Sequence, residues 1–237
     1  MPLERAEEAR AEWLERFPQG FEERICGTEL ELAAYTEEQP PPGALSEDVE
    51  PGWEERWREF HRPVRVGRLW IGPPWEQPPV DAVPVVIDPG RAFGTGAHAT
   101  TRLCIEFVSE LAPTSLLDLG CGSGVIAIAA AALGFSPVVA LDVDQAAVDA
   151  TARNAAANGT AVDVRKLELA ADTLPSAELA VANISLERVE SVLRRVDARM
   201  VVASGYLERD EPQVGPYRRR ERRIRDGWAA DLFERAQ

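Results

Sequence analysis

Only one of the 26 basic side chains in these 237 residues is a lysine, Lys166, and the chain has just two histidines, three cysteines and two methionines. Each scarcity excludes a chemistry. A phosphate loop of the G-x-x-x-x-G-K-[ST] kind needs a lysine beside its backbone N–H cradle, and Lys166 stands in "VRKLE", far from any such glycine run. Cys26, Cys104 and Cys121 are an odd, widely spaced set without a C-x-x-C pair, so neither a disulfide framework nor a zinc site is encoded. His61 and His98 alone are too few to found a metal centre, and no metal is expected. No apolar run approaches the roughly 20 residues that cross a bilayer. The acidic opening "MPLERAEEARAEW" has neither the basic nor the apolar region of a signal peptide. A cytoplasmic location without membrane contact is the expectation. The net charge of −14 argues against a nonspecific grip on nucleic acid and suits a basic protein as partner.

What is present is enough for a core. With 45% hydrophobic and 28% charged residues, the chain can build one ordinary domain and a smaller appendage. Residues 3–17 place Leu3, Ala6, Ala9, Trp13, Leu14 and Phe17 at helical spacing, and "FEERICGTELELAAYTE" reads as two short strands around Gly27. Residues 1–50 are thus expected to form a small α+β domain that ends in the linker-like "EEQPPPGALSEDVEPG". Residues 51–80 read as a connecting stretch with a short helix, "WEERWREFH", and one strand-like piece, "RPVRVGRLWIGPPW". From residue 81 to 237 strand and helix alternate: "VPVVI", "SLLDL", "PVVALDV", "AVDVRKLEL", "ELAVANI" and "RMVVASGYL" are strand-like, with four helical segments between them. Such alternation predicts an α/β fold with a doubly wound, mainly parallel sheet and a ligand at the carboxyl ends of its strands. The tail "YRRRERRIRDGWAADLFER" predicts a closing antiparallel hairpin about Asp226 and Gly227.

The segment "LLDLGCGSGVIAIAAAALG" ends a strand at Asp118, sets Gly120, Gly122 and Gly124 at alternate positions and starts an alanine-rich helix at once. A backbone without Cβ atoms lets a ligand lie against the main chain in front of a helix N-terminus. The dinucleotide pattern G-x-G-x-x-G would need glycine where Val125 stands. Preceded by Asp118, G-x-G-x-G resembles instead the S-adenosylmethionine loop of Rossmann-like methyltransferases. The next strand, in "PVVALDVDQAAV", finishes at Asp142. A carboxylate about 20 residues past the glycines can accept from both ribose hydroxyls, and Asp144 is expected to cap the following helix.

Taken in order, "DPGRAFGTGAHATTRLCIEF", "LLDLGCGSGVIAIAAAALG", "ALDVD" and "VANIS" closely resemble the PrmA family, methyltransferases that modify the eleventh protein of the large ribosomal subunit. The likeness reaches upstream to "RVGRLWIGPPW" and covers about residues 53–207. It implies a Rossmann-like methyltransferase fold whose FGTG loop, Phe93, Gly94, Thr95 and Gly96, folds over S-adenosylmethionine near its methionine end, with Thr101 as a polar contact. Gly120, Asp142 and Asn183 fall on other positions at which the family contacts this cofactor, and Asp118, Gly122 and Gly124 complete the cofactor set. His98 is read as a residue that orders the loop through a hydrogen bond.

Asn183 is the expected catalytic residue. Methylases of planar amides and base amino groups commonly carry Asn-Pro-Pro-Tyr at this point; here Asn183 is followed by Ile184, Ser185 and Leu186, without the planar clamp, which suits a tetrahedral amine. The implied activity is N-methylation of lysine or α-amino groups on a large-subunit ribosomal protein. Another protein lysine or a small amine stays open as target, as does a non-catalytic cofactor-binding module on ribosomal components. The chain departs from the family in two places. It starts almost directly in the first helix, where the family has a strand before it, so the domain that docks the substrate is read as shortened. After "SGYLERDEP" the family's further helix gives way to "YRRRERRIR". Six arginines between Arg218 and Arg225 are read as a solvated hairpin strand before a direct contact with RNA, because Glu221 interrupts them.

Overall fold

The computed structural model describes residues 22–26, 29–33, 62–88 and 96–236. The chain divides into two compact units, Met1–Trp57 and Arg58–Gln237. In the first, strands β1 (Glu22–Cys26) and β2 (Glu29–Ala33) pair antiparallel from Glu22↔Ala33 to Cys26↔Glu29, around Gly27 as expected. The helix expected over 3–17, the linker-like stretch 37–52, the short helix 53–61 and His61 lie outside the described residues.

The second unit opens with a three-stranded sheet of β3 (Val64–Val66), β4 (Leu69–Gly72) and β5 (Val83–Val86). Two expectations are corrected here. The piece read as one strand is a hairpin: Val66 pairs with Leu69 across a turn in which Gly67 adopts φ 55, a left-handed conformation cheap only for glycine. And β5, which the alternation assigned to the large sheet, pairs parallel with β4 instead. The reason is tertiary. Val85 and Ile87 bury with Leu69 and Ile71, while Asn158 serves the backbone of β5 as a neighbouring strand would, accepting from Val86 N–H (2.8 Å) and donating to Val86 C=O (2.6 Å).

The large sheet has seven strands in the order β11-β12-β10-β9-β6-β7-β8. Those from β6 (Leu116–Leu119), β7 (Val138–Asp142), β8 (Asp163–Lys166), β9 (Ala177–Asn183) and β10 (Ala198–Leu207) run parallel; β12 (Trp228–Arg235) and β11 (Tyr217–Arg225) close the sheet antiparallel. Helices α1 (Ala99–Glu110), α2 (Val125–Ala132), α3 (Gln145–Ala157) and α4 (Leu186–Leu193) lie between them in sequence. No described helix is long and apolar enough to cross a membrane. The hairpin turns at Asp226 and Gly227, both with positive φ (51 and 78), the backbone of the tight turn that the sequence predicts. Asp144 caps α3 by accepting from Ala146 N–H at 2.9 Å.

Apolar residues fill both faces of this sheet. On one, Leu103, Phe107, Ile126 and Ile128 of α1 and α2 bury with Val138, Val181 and Met200; on the other, Val189, Val192 and Leu193 of α4 bury with Leu117, Ala182, Tyr206 and Phe233. At about 1.5–3 kcal/mol for each large apolar side chain, this two-sided burial holds the strand order against the loss of chain entropy. The order then creates the site. From β6 the chain steps outward to β7 and β8 and returns to β9 on the far side of β6, so the carboxyl ends of β6 and β9 flank a topological switch point, where open α/β sheets bind ligands.

Candidate active site

The glycine loop leaves β6 at that switch point. Gly120, Gly122 and Gly124 all have positive φ (80, 54 and 83), and the N–H groups of Gly120 and Cys121 both donate to Leu141 C=O, at 2.8 and 3.0 Å. The loop is thereby tied to the end of β7. Internal packing demands two of these glycines: a Cβ on Gly124 would stand 2.7 Å from Thr151 Cγ2 and 3.1 Å from its Cα, and one on Gly120 would collide with Ile184 Cγ2.

Two carboxylates face this loop in different settings. Asp142, half-buried at the end of β7, accepts from Gly122 N–H (3.0 Å) on one oxygen and from Asp144 N–H (3.1 Å) on the other. Each oxygen keeps acceptor capacity for a further donor. Asp118 is buried beneath the loop and accepts from Ala127 N–H in the first turn of α2 at 3.2 Å. Burial pushes its carboxyl up to about 7; the Ala127 hydrogen bond opposes this and the charge of Asp142 adds to it.

Asn183 ends β9, beside the loop. Its Nδ2 donates to Thr101 Oγ1 at 3.2 Å, a bond that spans 82 residues and leaves Oδ1 as an acceptor. Thr101 is buried in the first turn of α1, which His98 caps: His98 Nδ1 lies 2.8 Å from Thr100 Oγ1 and accepts from Thr100 N–H at 3.4 Å. In the neutral ring the hydrogen is therefore on Nε2, and burial holds the pKa of this histidine below its ordinary value. Just ahead of it, Gly96 (φ 89) lies against Ile71, whose Cγ2 a Cβ would approach to 2.7 Å. Phe93, Gly94 and Thr95 lie outside the described residues.

The donor set has a definite electrostatic sense. A pyrophosphate at this helix N-terminus would meet the Asp142 carboxylate, with no basic residue in the loop to offset it. A group carrying a positive charge and a vicinal diol fits: the Asp142 carboxylate favours the charge and can accept from the diol. Among the described residues no cluster of three or more His, Cys, Asp and Glu side chains could hold a metal ion. Burial pushes the Cys121 thiol up to about 12 and Cys104 higher still, so neither is a nucleophile at neutral pH.

The arginine run is committed elsewhere. Arg219 pairs with Glu211 (2.6 Å), Arg220 with Glu234 (2.9 Å), Arg222 with Asp231 (2.8 Å), Arg223 with Glu110 (2.6 Å) and Arg225 with Glu106 (2.8 Å). Arg218 and Arg220 reach a cleft of about 1050 Å³ at the opposite end of the parallel strands, where Arg199 pairs with Glu178 and Arg235 with Asp197. Sequence reasoning missed three contributors to the site's frame: Ile184, Gly205, on which the Ile184 main chain lies, and Asn154, whose side chain donates to Ser123 C=O at 2.9 Å. Ile184 and Gly205 carry no motif, and the "RNAAAN" of α3 reads as ordinary helix.

A seven-stranded doubly wound sheet with an antiparallel closing hairpin, a glycine loop after its first parallel strand and an acid at the end of the second defines the Rossmann-like methyltransferase fold. The chain belongs to the ribosomal protein L11 methyltransferase (PrmA) family, whose profile matches residues 23–220. It is 43% identical over 163 residues to the ribosomal protein L11 methyltransferase of Symbiobacterium thermophilum, covering 67% of this chain and 54% of that protein. It is 40% identical over 169 residues to the enzyme of that name from Legionella pneumophila, covering 68% and 58%. The chain thus spans little more than half the length of these relatives. Among solved structures, a ribosomal protein L11 methylase from Lactobacillus delbrueckii subsp. bulgaricus is similar with a TM-score of 0.68 and 28% identity, over 75% of this chain and all of that one.

Proposed function

We propose that this chain is an S-adenosylmethionine-dependent methyltransferase that N-methylates lysine or α-amino groups of a large-subunit ribosomal protein. The observation that carries the reading is the convergence of Asp142, the glycine loop, Thr101 and Asn183 at the switch point. The relatives' shared name supports the substrate class. When bound, S-adenosylmethionine supplies the methyl group as an electrophile on a sulfonium centre. Asp142 holds the ribose hydroxyls on its remaining lone pairs, and its charge favours a positive centre over a phosphate; Asp118 supports the loop from beneath. Gly120, Gly122 and Gly124 bring the main chain close to the cofactor, with Gly96 and Thr101 on its other side. Phe93, Gly94 and Thr95, outside the described residues, are proposed as further cofactor contacts on the family resemblance alone.

Asn183 is the proposed orienting residue for the acceptor. Its Nδ2 donates to Thr101, which leaves Oδ1 as the acceptor for an incoming amine N–H. A lysine amine has a reference pKa near 10.4 and must lose a proton before it attacks, a loss that a desolvated site favours. Burial pushes the Cys121 thiol too high to act as base at neutral pH, and water is the proposed acceptor of that proton. Residues 1–50 are proposed to recognise the substrate: this region carries most of the chain's excess negative charge, which suits a basic protein. The cell compartment proposed is the cytoplasm.

The test is transfer of a radiolabelled methyl group to the purified eleventh large-subunit protein, to intact subunits and to total lysate. Incorporation into that protein is expected. Label only in an unrelated lysate protein or a small amine would redirect the substrate, and none anywhere with cofactor bound would leave a binding module.

A further inference from the structure

Immediately after Asn183 the chain is held from two sides. Ile184 donates its N–H to Ser204 C=O at 3.2 Å, and its own carbonyl oxygen lies so tightly over Gly205 that a Cβ there would overlap it. The same Cβ would stand 2.7 Å from Ile184 C and 3.0 Å from its N. Gly205 has φ 101 and sits at the bulge of β10, where the pairing with β12 shifts register between Ser204 and Tyr206. The bulge presents bare main chain to Ile184. On the opposite side, the Cγ2 methyl of Ile184 occupies the space a side chain on Gly120 would need. A flat strand or any residue larger than glycine at 205 would push the Asn183–Ile184 main chain away from β10, carrying the Asn183 amide off Thr101.

We propose that Gly205 and Ile184 are positioning residues for Asn183: the β10 bulge and the glycine loop clamp Ile184 so that the Asn183 amide meets the acceptor already aimed. The kinetic part of this inference rests on the proposed methyl transfer; the seat itself does not. An orienting group gains its effect from being fixed before the reaction, and displacing it by about 1 Å lowers rate by on the order of 100-fold. The clamp supplies that fixity through sterics, which a hydrogen bond to Thr101 alone would not.

The experiment compares Gly205→Ala, Ile184→Ala, Ile184→Val and Gly159→Ala in the full chain. Gly159 is an exposed glycine with φ 62 and nothing within 4 Å of a built Cβ, so it reports the effect of left-handed strain without a clash. Measured are kcat at saturating S-adenosylmethionine, affinity for S-adenosylhomocysteine, melting temperature, and the NMR position of the Asn183 side-chain NH2 signals, assigned by their loss in Asn183→Ala. Gly205→Ala is expected to lower kcat about 100-fold and to shift those signals. Ile184→Ala removes the methyl that meets Gly120 and should lower kcat about tenfold, whereas Ile184→Val retains a γ-methyl there and should stay within about twofold. Gly159→Ala should change neither kcat nor the Asn183 signals. Folded Gly205→Ala and Ile184→Ala chains with parent kcat and unmoved signals would overturn the proposal. If Gly205→Ala does not fold, the two variants at 184 decide alone: equal kcat and unmoved signals in both overturn it. A parent chain that transfers no methyl group, with Asn183 signals that still respond as stated, would count against the methyltransferase reading and for the seat.

Discussion

Asp142 and Asp118 are two carboxylates that each hydrogen-bond the backbone at or just after one glycine loop, yet burial gives them different tasks. Asp142 stays half-exposed and keeps lone pairs for a ligand; Asp118 is sealed beneath α2 and serves the fold. Asp142→Ala should therefore weaken S-adenosylhomocysteine binding, by about 1.5–3 kcal/mol for each charge-assisted hydrogen bond lost before water compensates. Calorimetry checks this, and unchanged affinity would remove Asp142 from the ribose. For Asp118 the readout is pH. Its carboxyl is held near 7 in the folded chain and near 4 when unfolded, so the folded state binds the proton more tightly. Its contribution to stability is full below about pH 4 and is lost as pH rises through about 7. The melting temperature of the parent relative to Asp118→Asn should accordingly fall across that window; a flat difference would contradict the buried protonated carboxyl. Asn183→Ala is expected to lower kcat by roughly 10 to 1,000-fold with a smaller change in the cofactor's KM. Single-turnover kinetics at saturating cofactor measures it, and transfer at the parent rate would reduce Asn183 to a binding contact.

Among the elements, the C-terminal hairpin shows how little charge pairing at a surface says about where stability resides. Asp231 on β12 is fully buried, accepting from Tyr206 O–H at 2.9 Å and from two nitrogens of Arg222 at 2.9 and 2.8 Å. Arg222 in turn donates to the carbonyls of Glu208 and Asp210, so one carboxylate anchors β10, β11 and the connection between them. Removing it would take the buried carboxylate from Arg222 and Tyr206 and leave them Glu211 and main-chain carbonyls, which costs up to about 3–5 kcal/mol. Arg220, 57% exposed and paired with a Glu234 that is 36% exposed, should matter by less than about 1 kcal/mol when changed to alanine. Urea unfolding of Asp231→Ala and Arg220→Ala tests the contrast, and equal losses would refute it. Arg223 lies between these cases: it sits 4.1 Å over the Phe107 ring and grips Glu110, tying β11 to the helix whose first turn holds Thr101.

Across the whole molecule, charge and site are divided between the two units. The residues that converge on the switch point all belong to Arg58–Gln237, while most of the excess negative charge lies in Met1–Trp57. A chain beginning at Arg58 should retain affinity for S-adenosylhomocysteine and methylate its protein target far more slowly than the full chain, with the deficit growing as salt is lowered, because the steering attraction that the shorter chain lacks is least screened at low salt. Equal rates for the two chains would give the first unit another purpose. The arginines of β11 do not offer a competing basic surface, since carboxylates on the same unit already answer five of the six.

Local pattern was sufficient for most of the elements and for the acids and amides that end the strands. A helix or strand announces itself through spacing within a dozen residues, and Gly120 to Gly124, Asp142 and Asn183 stand at strand ends that such spacing locates. What no local window contains is which strands become neighbours. The apolar "VPVVI" suits either sheet; pairing with β4 places it in the smaller one, and Asn158, 72 residues away, satisfies Val86 beyond that pairing. "RPVRVGRLWIGPPW" reads as one extended piece, and its turn depends on Gly67 taking a left-handed φ. Likewise the Thr101–Asn183 bond, the burial that separates Asp118 from Asp142, and the seat of Ile184 on Gly205 all follow from the strand order β10-β9-β6-β7. The sequence alone determined the kind of sheet and the residues at its rim; the tertiary structure decided which of them touch, because contacts between distant segments are set by the packing of whole elements and not by the pattern within any one of them.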